Sequence, residues 1–86
     1  MSRSSRIHAA LTAAFAPETL EVIDDSARHA GHAGASAAGE THYNIVIKSS
    51  AFAGQSRVTM QRSIMQTLDT EFQTGLHALS IKASTV

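Results

Sequence analysis

The residues best suited to chemistry in this 86-residue chain are its five histidines, three of which lie within one stretch of mostly small residues. Residues 25–42 read DSARHAGHAGASAAGETH and contain His29, His32 and His42. Neutral imidazole is a common metal ligand, and a glycine-flanked loop can bring it to a metal without constraining its approach. For His29 and His32 two interpretations follow from the residues alone: solvated polar side chains, or metal ligands.

The other histidines lie on predicted regular elements. His77 alternates with Leu79 and Ile81, which predicts either a half-buried histidine with one hydrogen bond or a ligand at the sheet rim. His42 opens a strand, where it is suited to orient a metal ligand or to bond across a hairpin, and we assign it a supporting role. His8 flanks the apolar stripe of a first helix and is expected to be exposed.

The composition bounds the fold and excludes several kinds of site. The length predicts a single domain over residues 1–86 with one core. Without cysteine, the chain has no disulfide and no thiolate of its own for zinc or an iron–sulfur cluster. Seven basic and seven acidic residues balance, so nucleic-acid binding needs a local patch. The sequence shows neither a membrane span nor a signal peptide, and we expect a cytoplasmic protein.

The first half of the chain predicts a helix followed by a strand. Ser4 or Ser5 caps the helix, and Pro17 ends it. In the strand TLEVIDD, Leu20 and Val22 lie on one face. The apolar positions of the helix recur every three or four residues: Ile7, Ala10, Leu11, Ala14 and Phe15.

The second half predicts a strand, a long helix and a further strand. HYNIVIKS at residues 42–49 alternates between apolar and polar side chains, after a loop over residues 26–39. Ser56 caps a helix that ends at Gly75, and LHALSIKA at residues 76–83 alternates again. The predicted buried stripe of this helix comprises Val58, Ile64, Met65, Leu68 and Phe72.

These elements predict an α+β two-layer sandwich, in the order α-β-β-α-β, with a three-stranded mixed sheet. The first two strands have no helix between them and form an antiparallel pair. The strand–helix–strand unit crosses over right-handed, so the second and third strands run parallel and both helices cover one face of the sheet.

Three segments of this chain resemble successive signatures of the BolA family, over about residues 5–83. They are PETLEVIDDSARHAGHAG, GETHYNIVIKSSAFAGQSRV and GLHALSIKA, in the family's order. The resemblance implies a fold similar to a class II KH domain, which agrees with the predicted order of elements. The chain departs from the family at residues 60–62, where Met-Gln-Arg replaces the usual Arg-His-Arg.

The resemblance also implies a function and a set of ligands. His77 matches the family's invariant histidine, and His29 matches the loop histidine best, with His32 as the close alternative. BolA-like proteins pair with monothiol glutaredoxins, whose cysteine and bound glutathione supply two thiolates to a shared [2Fe–2S] cluster. We therefore expect a non-enzymatic adaptor that is a monomer alone, forms a heterodimer with a glutaredoxin and holds no tightly bound cofactor by itself.

Two other functions are consistent with parts of the sequence. Arg57, Arg62 and Lys82 are candidates for a nucleic-acid patch, with DNA as a possible partner. The alternative that the resemblance offers is a KH-like, nucleic-acid-binding transcriptional regulator of stress response and cell morphology. No Gly-x-x-Gly loop between helices, aromatic platform or net positive charge accompanies them. A zinc hydrolase would use the two loop histidines and His77 as its three ligands.

Overall fold

The computed structural model describes residues 2–24 and 42–86, and the predicted loop over residues 26–39 lies outside them. Within the described ranges, no helix is long and apolar enough to cross a membrane. The elements in chain order are α1 (Arg3–Phe15), β1 (Thr19–Asp24), β2 (His42–Lys48), a 3₁₀ turn (Ser50–Phe52), α2 (Arg57–Thr67), α3 (Asp69–Gln73) and β3 (Ala78–Ser84).

The sheet has the predicted topology, with the strand order β1-β2-β3. β1 pairs antiparallel with β2, where Leu20 lies opposite Ile47, and β2 pairs parallel with β3, where Ile45 lies opposite Ile81. The connection between the parallel strands β2 and β3 contains the second helical region, α2 and α3. The α+β class and the order α-β-β-α-β are confirmed.

The core lies between the sheet and the helices, which pack on one face. Along β2, Tyr43, Ile45 and Ile47 are buried, as their period of two predicts. The rings of Phe15 and Phe52 close one end of this layer, with 4.9 Å between centroids. The buried apolar side chains are Ile7, Leu11, Tyr43, Ile45, Ile47, Phe52, Ile64, Leu68 and Leu76.

The first helix begins earlier than the sequence suggests. Ser2, rather than Ser4 or Ser5, is the N-cap, and its Oγ accepts a 3.1 Å hydrogen bond from the Ser5 amide. Capping at Ser2 places Arg3 in the first turn of α1, where its side chain is buried. The helix ends before Pro17, as predicted.

The predicted long helix is two helices, and part of its predicted buried stripe is wrong. α2 ends at Thr67, its C-cap Leu68 has a ψ of 14° that departs from helical geometry, and α3 follows directly. Ile64 and Leu68 are buried, but Val58 and Met65 are 62% and 42% exposed. With 3.6 residues per turn, Met65 lies about 100° around the helix from Ile64, which turns it out of the apolar face. Met60 packs against the core instead.

Candidate functional site

Three strand termini meet at one end of the sheet. His42 begins β2 and lies opposite Ala78, the first residue of β3. Asp24 ends β1 and lies opposite Tyr43. His77 directly precedes β3, so this end of the sheet brings it beside His42, with β1 on the far side of β2.

The imidazole rings of His42 and His77 are nearly parallel, with 6.1 Å between their centroids and 9° between their planes. His77 is exposed and His42 is partly buried. A neutral imidazole has one nitrogen whose electron pair can bind a metal. Among the side chains in residues 2–24 and 42–86, no three of His, Cys, Asp or Glu lie close enough to hold a metal ion together.

The structure contradicts one of the two sequence-based interpretations of His77, that of a half-buried histidine. Leu76 and His77 precede β3 instead of alternating within it. Leu76 is only 4% exposed and lies in the core, whereas His77 is exposed, so it is not a half-buried histidine on an apolar strand face. The turn before it depends on Gly75, whose φ of +125° is disfavoured for residues with a side chain.

A buried charged cluster lies just before this turn. The Glu71 carboxylate accepts 2.8 Å and 3.1 Å hydrogen bonds from the guanidinium groups of Arg3 and Arg6, respectively. Hydrogen bonding by Arg6 and the positive charges of both arginines hold the pKa of the Glu71 carboxyl below its usual value, although burial opposes this shift. The cluster joins the first turn of α1 to α3.

The two loop histidines, His29 and His32, lie outside the described residues. The segment that carries them follows Asp24 and precedes His42, both of which are described. Both residues lie at the same end of the sheet as His77, where His42 is beside it and Asp24 is on the far strand β1. Whether His29 or His32 is a ligand stays a prediction.

The three basic residues of the alternative interpretation are only partly grouped. Arg57 and Lys82 line a shallow cavity of about 360 Å³ between α2 and β3, together with Gln61, Ile81 and Ala83. Arg62, which is exposed on α2, is not among the lining residues. The structure therefore brings two of the predicted cations to one surface.

The sequence interpretation missed the charged cluster of Arg3, Arg6 and Glu71. Arg3 and Glu71 are 68 positions apart, and each is a charged residue on a helix, which ordinarily indicates a solvated surface. The available signal was the spacing of Arg3 and Ile7, which places both on one face of α1. Only the packing of α1 against the end of α3 shows that this face buries a charge.

The chain forms an α+β domain with a three-stranded mixed sheet and both helical regions on one face. Its exposed histidine, His77, directly precedes the third strand. The family model described as BolA-like protein matches residues 11–86, and the chain belongs to this family. It is 47% identical over 83 residues to an uncharacterized Sinorhizobium protein from the cobS 5' region, covering 95% of this chain and 89% of the relative.

Two further comparisons agree in sequence and in structure. The DNA-binding transcriptional regulator BolA of Escherichia coli is 40% identical over 81 residues, covering 94% of this chain and 73% of that protein. The solved BolA domain of SufE1 from Arabidopsis thaliana matches with a TM-score of 0.89 and 47% identity, covering 99% of this chain and 93% of the other. The predicted family and fold class are confirmed.

Proposed function

We propose that this protein is an adaptor that binds a monothiol glutaredoxin and shares a [2Fe–2S] cluster with it in cluster assembly, transfer or iron sensing. The observation that carries this proposal is the position of His77. It is exposed beside His42, which follows the segment that contains His29 and His32, and it lies at the same end of the sheet as Asp24, which precedes that segment. A ligand from the described part of the chain and a ligand from that segment can thus reach one site.

The ligand chemistry supports a shared site. A [2Fe–2S] cluster takes four ligands, and in clusters with two histidine ligands the imidazoles replace two thiolates on one iron. This chain has five histidines and no cysteine, so its donor set fits half of such a cluster. The remaining two ligands are thiolates from another molecule, which we assign to the glutaredoxin cysteine and its bound glutathione.

His42 supports His77 in this proposal and is not counted as a ligand. Its ring lies parallel to that of His77, and its side chain is partly buried at the start of β2. A neighbouring ring in this position restricts the directions that the His77 ring can adopt. Residues that orient a metal ligand in this way commonly affect metal affinity without touching the metal.

Co-expression with a monothiol glutaredoxin tests this function. We expect a 1:1 heterodimer that carries two irons and two acid-labile sulfides, and whose visible circular dichroism differs from that of the glutaredoxin's own cluster. The glutaredoxin expressed alone is the control. A complex without iron, or one whose spectrum equals that of the glutaredoxin alone, would contradict the proposal.

Nucleic-acid binding is the second candidate function. It is supported by the cavity that Arg57 and Lys82 line and by the similarity to the Escherichia coli regulator. Titration of a random-sequence DNA duplex at several salt concentrations tests it, because each neutralised phosphate steepens the salt dependence. Arg57→Gln should weaken binding and reduce the slope by about 1. An unchanged slope would exclude this surface as the DNA contact.

A further inference from the structure

The Arg3 guanidinium donates hydrogen bonds to four acceptors on two residues that precede His77, namely Glu71 and Thr74. Its Nη1 donates hydrogen bonds to the Glu71 carboxylate at 2.8 Å, to the Glu71 carbonyl at 3.0 Å and to the Thr74 Oγ1 at 3.0 Å. Its Nη2 donates to the Thr74 carbonyl at 2.9 Å. All four acceptors belong to α3 and to the residue directly after it, although Arg3 belongs to α1.

Two of these acceptors are main-chain carbonyls at the end of a helix, where carbonyls have no partner within the helix. The Glu71 carbonyl also accepts a 2.9 Å hydrogen bond from the Leu76 amide. The guanidinium is packed against the turn itself, because a Cβ added to Gly75 would lie 3.2 Å from Arg3 Nη2. Arg3 therefore contacts the main chain at Glu71 and Thr74, six and three residues before His77.

We propose that Arg3 is a positioning residue for His77. Its guanidinium holds the carbonyls of Glu71 and Thr74 in place. This fixes the path of the turn and hence the position of the His77 main chain, from which the side chain extends into solvent. The positioning is a property of the free protein, and only its consequence for cluster binding rests on the proposed function. An ordered main chain reduces the entropy lost when His77 binds a metal.

Arg6 provides a matched control within the same cluster. Its Nε and Nη2 donate to the two carboxylate oxygens of Glu71 at 3.1 to 3.3 Å, and none of these bonds reaches the main chain. These bonds of Arg6 share the ion pair with Arg3, whereas the bonds of Arg3 also hold two main-chain carbonyls before His77. A role in stability alone would leave the exchange of the turn unchanged relative to the central strand in both variants, whereas positioning predicts faster relative exchange when Arg3 is changed.

The test compares Arg3→Lys with Arg6→Lys in the free 86-residue protein. Lysine keeps the charge beside Glu71, but a single ammonium cannot reproduce the two-nitrogen fork that spans the Glu71 and Thr74 carbonyls. Hydrogen exchange of the Leu76 amide is measured relative to that of Ile45 in the central strand, which corrects for global unfolding. The ¹⁵N relaxation of the His77 amide reports how ordered the main chain of His77 is.

In Arg3→Lys we expect at least 10-fold faster relative exchange of Leu76 and a lower order parameter for His77, while Arg6→Lys behaves like the wild type. Equal values in all three proteins would overturn the proposal. If Arg3→Lys does not fold, the double variant Arg3→Gln with Glu71→Gln removes the buried charge pair together with the fork, and it should loosen His77 relative to Glu71→Gln alone, which keeps Arg3. An unchanged His77 in that variant would then overturn it.

A second measurement separates this inference from the proposed function. Cluster-loaded complexes of the glutaredoxin with Arg3→Lys and with His77→Ala are followed by visible circular dichroism. If His77→Ala loses the cluster while His77 stays ordered in Arg3→Lys, the positioning role is wrong and the function stands. If His77 becomes mobile in Arg3→Lys but His77→Ala keeps an unchanged cluster, the positioning role stands and the function is wrong.

Discussion

The ring of His42 lies parallel to that of His77, at 9° and with 6.1 Å between centroids, although 34 residues separate them in the chain. The contact exists because β2 and β3 are parallel and begin at the same end of the sheet. The His77 side chain is exposed, and the partly buried ring of His42 is its neighbour.

His42→Ala should weaken the cluster-bearing complex without abolishing it, because it removes a neighbouring ring and not a ligand. We expect cluster loss to a chelator to be roughly 10-fold faster than in the wild type, which is the lower end of the effect of such supporting residues. The absorbance decay in the presence of excess chelator measures this rate. His8→Ala, which changes an exposed histidine on α1, is the control, and equal decay rates for both variants would exclude a role for His42.

The two loop histidines are distinguished by their effect on partner affinity. His29→Ala should lower the affinity for cluster-loaded glutaredoxin while leaving the affinity for the apo form nearly unchanged, because only the loaded form binds the imidazole. His32→Ala should have the smaller effect. Calorimetric titration of both variants against both forms measures this, and a reversed order would identify His32 as the ligand. Equal affinities for both variants and the wild type would show that neither histidine binds the cluster.

The stability of the protein should depend on the ionisation of Glu71. Because the arginines lower the folded-state pKa of this carboxyl, its contribution is full above the ordinary value of 4.5 and is lost as the pH falls through the folded-state value. Glu71→Gln should cost about 3 kcal/mol at neutral pH, since it leaves a buried arginine without its counter-ion. Urea unfolding between pH 7 and 2.5 measures both proteins.

The difference between wild type and Glu71→Gln should shrink as the pH falls. Glu21→Gln, at an exposed position on β1, serves as the control and should follow the wild-type curve. A constant difference between Glu71→Gln and wild type across this range would show that the charge of Glu71 does not contribute to stability.

Two adjacent residues, Ile64 and Met65, test which face of α2 is buried. Ile64→Ala should lower the free energy of unfolding by about 3 kcal/mol, because it leaves a cavity in the core. Met65→Ala should change it by no more than about 0.5 kcal/mol, because Met65 is 42% exposed. Denaturant unfolding measures both, and a larger loss at Met65 would restore the originally predicted buried stripe.

The sequence predicted those features that depend on local periodicity. The alternation of Tyr43, Ile45 and Ile47 identified a strand with one buried face, and the connections between elements then determined the sheet topology. The break at Leu68 was not predictable in this way, because the apolar residues continue across it and no proline or glycine marks it.

The candidate site was predictable only in part. The type and position of His77 left a half-buried histidine and a ligand both open, and the resemblance to the BolA family favoured the ligand. Its exposure follows from the burial of Leu76 and the turn at Gly75. The contact of Arg3 with Glu71 joins opposite ends of the chain. Such a pair depends on how α1 packs against α3, and no local pattern in either segment encodes it.

Loss of the shared cluster in His77→Ala tests the central claim most directly. The variant and His8→Ala are each co-purified with the same monothiol glutaredoxin, and visible absorption, circular dichroism and iron content are recorded. Because His77 is exposed outside the core, we expect His77→Ala to keep its fold and its wild-type stability. The account predicts that His77→Ala loses the spectrum of the heterodimeric cluster while His8→Ala retains it. A His77→Ala complex with wild-type spectrum, iron content and cluster stability would contradict it.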